Sequence, residues 1–325
     1  MVHIKSKIGG RTENQDFYGS AQTHFGELIV VCDGMGGQNG GRCAAEMAVD
    51  IIINEVSKSK VVNPIDAVSE AITKANTAIW QESHLDKSLK GMGTTVVALL
   101  ITSQQAISFH VGDSRIYQLR NGIIKFRTFD HSHVFEMVKA GLINEEQARL
   151  SEKSNIITQG LGTQLEVDIS ITDGLSYKKG DRFLLCTDGI CGAVPENELV
   201  EMASLQENIE IVLNELLNQI DAIGAANGSN HDNMTAALFE MESDSSLKKI
   251  EEKNQNGAHK TSKSRGKFLI YILLIALFIS IILNIYFIFS NKSEVMNNKP
   301  IIINNIPTID SKKIDTSKIL KPVKK

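Results

Sequence analysis

The chain has 325 residues, 42% of them hydrophobic and 22% charged, with a formal net charge of −4. That is enough for one large core or two ordinary domains, and the charge gives no general argument for a nucleic-acid partner. Four cysteines, Cys32, Cys43, Cys186 and Cys191, form no CxxC pair; they read as small buried side chains in a reducing compartment, not a disulfide framework.

The N-terminus, Met1-Val2-His3-Ile4-Lys5, lacks the apolar core of a signal peptide, so the N-terminal region is expected to stay in the cytoplasm. A strand is predicted over Glu27–Asp33, then a helix from about Gly41 to Val56 with apolar residues at helical spacing. A second helix follows Pro64, which suits its first turn. Thr94–Ile101 and Ala106–Val111 read as strands, and Arg115–Arg120 and Ile123–Thr128 flank Asn121-Gly122, a strong hairpin signal. Short helices are expected at Val134–Ala140 and Asn144–Leu150. Strands return at Val167–Thr172, Arg182–Cys186 and Met234–Met241, the last preceded by an amphipathic helix over about Gln206–Ile223. Consecutive strands with helices arriving in pairs point to antiparallel sheets covered by helices, not an alternating βαβ sheet.

Composition changes sharply after this domain, which spans residues 1–241. Residues 242–267 are polar and basic, as a linker should be. Residues 268–290 form an apolar run of 23 residues without charge. As a helix they would extend about 34 Å, enough to cross a bilayer core of roughly 30 Å. Lys260, Lys263, Arg265 and Lys267 precede the run, against Lys292 and Lys299 after it. The positive-inside rule therefore predicts a single-pass membrane protein with its large domain in the cytoplasm and the tail, 291–325, outside.

The stretch Val31-Cys32-Asp33-Gly34-Met35-Gly36-Gly37 places a carboxylate at the end of an apolar strand, beside glycines that leave the backbone open to an ion or phosphate. Alone, it also reads as an ordinary Asp-Gly turn. The pattern recurs, however. Asp113 follows the strand ending at Val111, Asp188 follows the strand ending at Cys186 and precedes Gly189, and Asp232 opens the last strand. Oxygen-only clusters of this kind suit Mg²⁺ or Mn²⁺ better than zinc. His110, His131, His133 and His231 lack zinc-site spacing and read individually as structural. Two hard ions about 3.5–4 Å apart can bind a phosphate ester and acidify a water between them. Arg11, in Gly9-Gly10-Arg11, has the right shape for bidentate phosphate recognition and is expected on a glycine-flanked strand, although taken alone it reads as a surface arginine.

Arg11-x-x-Asn14-x-Asp16, Asp33-Gly34-x-Gly36-Gly37, Gly93-Thr94-Thr95, Gly112-Asp113-Ser114-Arg115, Asp130-His131-Ser132, Asp188-Gly189 and Asp232-Asn233-x-Thr235 appear in this order. Together they resemble the metal-dependent serine/threonine protein phosphatases of the PPM (type 2C) family in their bacterial form, over about residues 3–241. The resemblance implies an α+β fold, a four-layer α-β-β-α sandwich of two antiparallel sheets flanked by antiparallel helix pairs, with metals at one end between the sheets. By motif match, Asp33 would bridge two Mn²⁺ or Mg²⁺ ions and the carbonyl of Gly34 would ligate one. Asp188 and Asp232 would complete the other, and Asp113 would help hold a third, weaker ion. Arg11 would hold the substrate phosphate, and Asp16 would orient metal-bound water.

The implied activity is hydrolysis of phosphoserine and phosphothreonine on proteins by direct attack of a metal-activated water, with no covalent phosphoenzyme. Partners would be phosphorylated proteins and a cognate membrane serine/threonine kinase. Three departures from the family pattern stand out. Gln15 occupies a position that commonly holds Glu. Met35 stands where eukaryotic members have a His resembling a general acid, which leaves His131 as a weak candidate for that role. The flap-like segment 130–162 carries Ser151-Glu152-Lys153-Ser154 in place of a common His-Pro. A two-metal hydrolase of nucleotides or small phosphate esters would use the same carboxylates. A catalytically silent, membrane-tethered phosphoprotein-binding module is opposed by the presence of every matched metal aspartate.

Overall fold

A computed structural model of the chain describes residues 2–36, 40–228 and 230–242. Twelve strands and seven helices follow one another in it: β1 (Val2–Lys7), β2 (Phe17–Gln22), β3 (Glu27–Cys32), β4 (Gly34–Met35), α1 (Gly40–Lys58), α2 (Pro64–Leu85), β5 (Gly93–Thr94), β6 (Val96–Ile101), β7 (Ala106–Val111), β8 (Arg115–Arg120), β9 (Ile123–Arg127), α3 (His133–Lys139), α4 (Glu145–Arg149), β10 (Ser170–Leu175), β11 (Arg182–Cys186), α5 (Asp188–Cys191), α6 (Glu196–Ala203), α7 (Ile209–Ala226) and β12 (Met234–Glu240). Two five-stranded sheets result, ordered β1-β12-β11-β8-β9 and β10-β7-β6-β3-β2, and every pairing in them is antiparallel.

The period-two alternation of the strands builds three apolar layers. Ile29 and Val31 of β3, Val97 and Leu99 of β6, and Phe183 and Leu185 of β11 meet between the sheets. Their neighbours Leu28, Val30 and Cys32 turn outward onto α1 and α2, which supply Ala45, Val49, Ile72 and Ile79. Leu184, Cys186, Ala236 and Leu238 pack on the other side against α6 and α7. This is the expected four-layer sandwich. Cys32 and Cys186 lie in the outer layers, and all four cysteines are free thiols.

Local signals behave as read. Asn63 caps α2 with Pro64 at its start. Asn121 and Gly122 take φ 51° and 72°, the left-handed pair that a tight hairpin requires. Several expectations change. The strand predicted over Val167–Thr172 lies at Ser170–Leu175, because its pairing with β7 runs past Asp173-Gly174 through a bulge; Val167 and Ile169 pack on the core without pairing. The long helix starts at Ile209, where Asn208 caps it, and runs to Ala226. Arg11 is not on a strand but in the bend between β1 and β2. The turn after Asp33 continues as β4, which pairs with β5. Among the described residues no helix is long and apolar enough to cross a membrane. The apolar run 268–290, the tail 291–325, Gly37 and the linker beyond Glu242 lie outside the described residues.

Candidate active site

Strand register gathers the aspartates. Phe17 pairs with Cys32, so Asp16 and Asp33 leave their strands side by side. Cys186 pairs with both Ala236 and Arg115, which brings Asp188 to the end where Asp232 and Asp113 lie. Lys7 pairs with Met234, and the turn beyond it carries Arg11 to the same end. The result is a cleft of about 500 Å³ lined by Arg11, Asp33, Gly34, Asp113, Asp188 and Asp232. All six residues expected to bind metal or phosphate are there, and Asp16 is buried beneath them at 2% exposure.

Backbone hydrogen bonds brace Asp33 and Asp16. The Asp33 amide donates to Thr95 Oγ1 at 3.0 Å, and its carbonyl accepts from the Thr95 amide and the Thr94 hydroxyl, both at 2.8 Å. Gly34 leaves no room for a side chain, since a Cβ there would lie 2.1 Å from the carbonyl oxygen of Gly41 at the start of α1. The same holds at Gly189, where a Cβ would lie 2.0 Å from the Asn233 carbonyl oxygen. Asn233 ties the Arg11 bend to the site: its Nδ2 donates to the carbonyls of Ile8 and Glu13 at 2.8 and 2.9 Å, and its Oδ1 accepts from the Gln15 amide at 2.8 Å. Asn14 accepts from the Asp16 amide at 3.1 Å.

Electrostatics in this cleft is dominated by burial and mutual repulsion. Desolvation, then the charges of Asp16, Asp188, Asp113 and Asp232, holds the Asp33 carboxyl well above the usual range. Asp113 and Asp188 are raised for the same first reason. Asp16 is pushed up to about 7 by burial, against the opposing hydroxyls of Thr235 and Thr187. Arg11 Nη2 sits 2.9 Å from Asp232 Oδ2, so the phosphate handle and one carboxylate are already paired. Among the described residues no three His, Cys, Asp or Glu side chains converge as tightly as a closed metal shell requires; the carboxylates line the cleft walls instead.

The donor set nevertheless fits hard divalent cations. It is oxygen-only, it is strongly anionic, and Asp16 Oδ1 and Asp188 Oδ1 are buried without a hydrogen-bond partner. A cation would relieve the repulsion and meet the free oxygen of Asp188.

His131 does not reach this cleft. Its Nδ1 accepts from the Gly112 amide at 3.3 Å, its Nε2 lies 2.9 Å from Ser170 Oγ, and burial lowers its pKa, so it braces the flap instead of offering a proton. Met35 lines the cleft with a thioether, which has no proton to give. The flap is pinned at both ends. Arg115 holds Asp130 through two hydrogen bonds of 2.7 Å, and the buried Asn76 of α2 accepts from the Gly162 amide at 2.8 Å. Thr187, Asn76 and Gly41 had drawn no functional notice in the sequence. The signal available was a polar or glycine residue set into an otherwise apolar strand or helix face.

Residues 5–226 match the family model for protein phosphatase 2C. A putative protein phosphatase 2C-type of Streptococcus pyogenes is 32% identical over 250 residues, covering 75% of this chain and 98% of that protein. The serine/threonine phosphatase stp of Listeria monocytogenes is 30% identical over 244 residues, covering 74% of this chain and 91% of the relative. Among solved structures, the serine/threonine phosphatase Stp1 from Staphylococcus aureus superposes with a TM-score of 0.66 at 28% identity, covering 74% of this chain and 94% of that one. With the matched model spanning most of the chain, this protein belongs to the protein phosphatase 2C family of serine/threonine protein phosphatases.

Proposed function

We propose that this protein releases phosphate from phosphoserine and phosphothreonine in proteins, at a centre of two Mn²⁺ or Mg²⁺ ions with a third, weaker site, on the cytoplasmic face of a membrane. The observation that carries the reading is the convergence of Asp33, Asp113, Asp188 and Asp232 on one cleft that also holds Arg11. Asp33, the Gly34 carbonyl, Asp188 and Asp232 would hold the two ions, and Asp113 would serve the third. When bound, such ions supply phosphate charge neutralisation and an acidified attacking water.

The chain's own residues do the rest. Arg11 is exposed enough to swing from Asp232 onto the phosphate oxygens of an incoming substrate. Asp16 is fixed at Oδ2 by the Thr187 hydroxyl at 3.0 Å, which leaves Oδ1 to accept a hydrogen bond from the attacking water. The thiols beside the metal aspartates, Cys32 and Cys186, are turned into the helix-facing layers, so neither is placed to attack in place of water. Domain limits at 1–241, 242–267, 268–290 and 291–325, with the third segment crossing the membrane, put this activity beside membrane kinases and their phosphorylated targets.

The test is full-length protein in mild detergent with Mn²⁺, offered a phosphothreonine peptide, nucleotides and p-nitrophenyl phosphate. Metal-dependent phosphate release from the peptide is expected. Release from nucleotides alone would overturn the reading in favour of a small-ester hydrolase, and release from nothing would leave a binding module. Asp33→Ala and Asp188→Ala must abolish release. Protease added outside intact cells should trim only the tail; loss of the large domain would refute the topology.

A further inference from the structure

A second cavity, of about 270 Å³, opens beside the aspartate cleft, where the flap helices α3 and α4 face α5. Asp113, Asn155, Asp188 and Asp232 line both spaces, so the two are continuous. Its wall is apolar where the cleft is polar: Val134, Phe135, Ala148, Cys191 and Ala193. The charges at its rim are already engaged. Arg115 is committed to Asp130. Arg149 is forked onto Glu146 at 2.9 and 2.6 Å and reaches the Gly192 carbonyl at 3.4 Å, bridging flap to body. Glu145 is held by Arg127, which also grips Glu196.

We infer that this cavity is a substrate subsite that receives one apolar side chain from a residue flanking the phosphorylated one. The inference rests on the peptide-phosphatase reading above. Size limits the occupant, since sites for whole small ligands run about 300–1,000 Å³ and this space is smaller. Chemistry selects it. A charged side chain entering the cavity would lose its hydration, and a basic one would meet Arg115, Arg149 and carboxylates already committed to arginines or to the ions proposed above. An acidic one would also face Asp113, Asp188 and Asp232. Continuity supplies the route, because neighbouring residues of a peptide lie only about 3.8 Å apart at Cα. A phosphoresidue in the cleft therefore brings a flanking side chain to the cavity mouth.

The experiment uses full-length protein with Mn²⁺ and a phosphothreonine peptide series in which each flanking position is Gly, Leu, Phe, Glu or Lys. At one position Leu or Phe should exceed Gly, Glu and Lys by about tenfold or more in kcat/KM, the scale on which an apolar pocket discriminates. Ala148→Trp, which fills the cavity, should erase that preference while p-nitrophenyl phosphate turnover stays unchanged. Ala148→Leu should weaken it if the larger residue disturbs folding. A flat profile across peptides that are hydrolysed, a preference for Glu or Lys, or an apolar preference indifferent to both variants would each overturn the subsite. If no peptide is hydrolysed while p-nitrophenyl phosphate is, the underlying function is what fails.

Discussion

Asp16 gives the sharpest stability test of the carboxylate cluster. It is 2% exposed, Thr187 satisfies Oδ2, and Oδ1 has no partner. Burial raises its pKa from 3.8 to about 7. At ~1.4 kcal/mol per pH unit, ionising it in the folded chain is about 4 kcal/mol harder than in the unfolded one. The folded pKa lies above the unfolded value, so this contribution to stability is complete below about pH 4 and is lost as pH rises through about 7. Asp16→Asn removes the titration but places an amide at the unpartnered oxygen, which costs roughly 1–3 kcal/mol. In EDTA, the variant should therefore be less stable than wild type at pH 4 and more stable by about 1–3 kcal/mol at pH 8. Urea unfolding at both pH values, followed by the fluorescence of the single tryptophan, Trp80 on α2, measures the difference. Parallel profiles for the two proteins, or a wild type relatively favoured at pH 8, would refute the reasoning.

Other perturbations probe the remaining parts. Asp33→Asn should abolish phosphate release and also the Mn²⁺-induced rise in melting temperature, which for wild type corresponds to about 2.7 kcal/mol at a hundredfold excess over Kd. Arg11→Ala should raise KM for the phosphopeptide with little change in melting temperature, since the side chain is 44% exposed; Arg11→Lys should not restore KM, because a lysine cannot grip phosphate with two parallel bonds. Gly189→Ala should destabilise by about 3 kcal/mol or more, read by urea unfolding, because its Cβ would collide with the Asn233 carbonyl. Arg115→Lys breaks the forked pair with Asp130 and should speed amide hydrogen exchange across 131–158 before it affects the core strands.

The aspartates were legible in the sequence because a carboxylate abutting an apolar strand is costly and therefore conspicuous. Asp33, Asp113, Asp188 and Asp232 all announce themselves this way. The edge strands β1 and β2 were not legible. β1 is half-buried throughout and β2 alternates half-buried with exposed residues, and neither carries a clear apolar alternation in sequence. The helices α5 and α6 were missed because α5 opens on Asp188-Gly189, which reads as a turn, and α6 opens on Pro195 and the polar run Glu196-Asn197-Glu198. Asn233 was visible only as the companion of Asp232. Its role as the clamp on Ile8, Glu13 and Gln15 depends on contacts more than 200 positions away in the chain.

The site is best understood as a consequence of sheet closure. Two sheets packed face to face must end somewhere, and at this end the chain leaves β1, β3, β7 and β11 and enters β2 and β12. Apolar residues there would extend the core; carboxylates instead leave a repelling cluster held by surrounding backbone bonds, by Thr187 on Asp16 and by Arg11 on Asp232. Thr94 and Thr95 fix Asp33, Asn14 fixes Asp16, and Asn233 fixes the bend that carries Arg11. The hydrogen bonds orient the carboxylates, and the sandwich core supplies the stability that lets Asp16 Oδ1 and Asp188 Oδ1 stay unpaired. Function and stability therefore pull against each other at this end. Any variant that neutralises one of the aspartates lining the cleft without a steric cost should harden the fold while it weakens the hold on a cation, and the pH profile of Asp16→Asn isolates the stability side of that opposition.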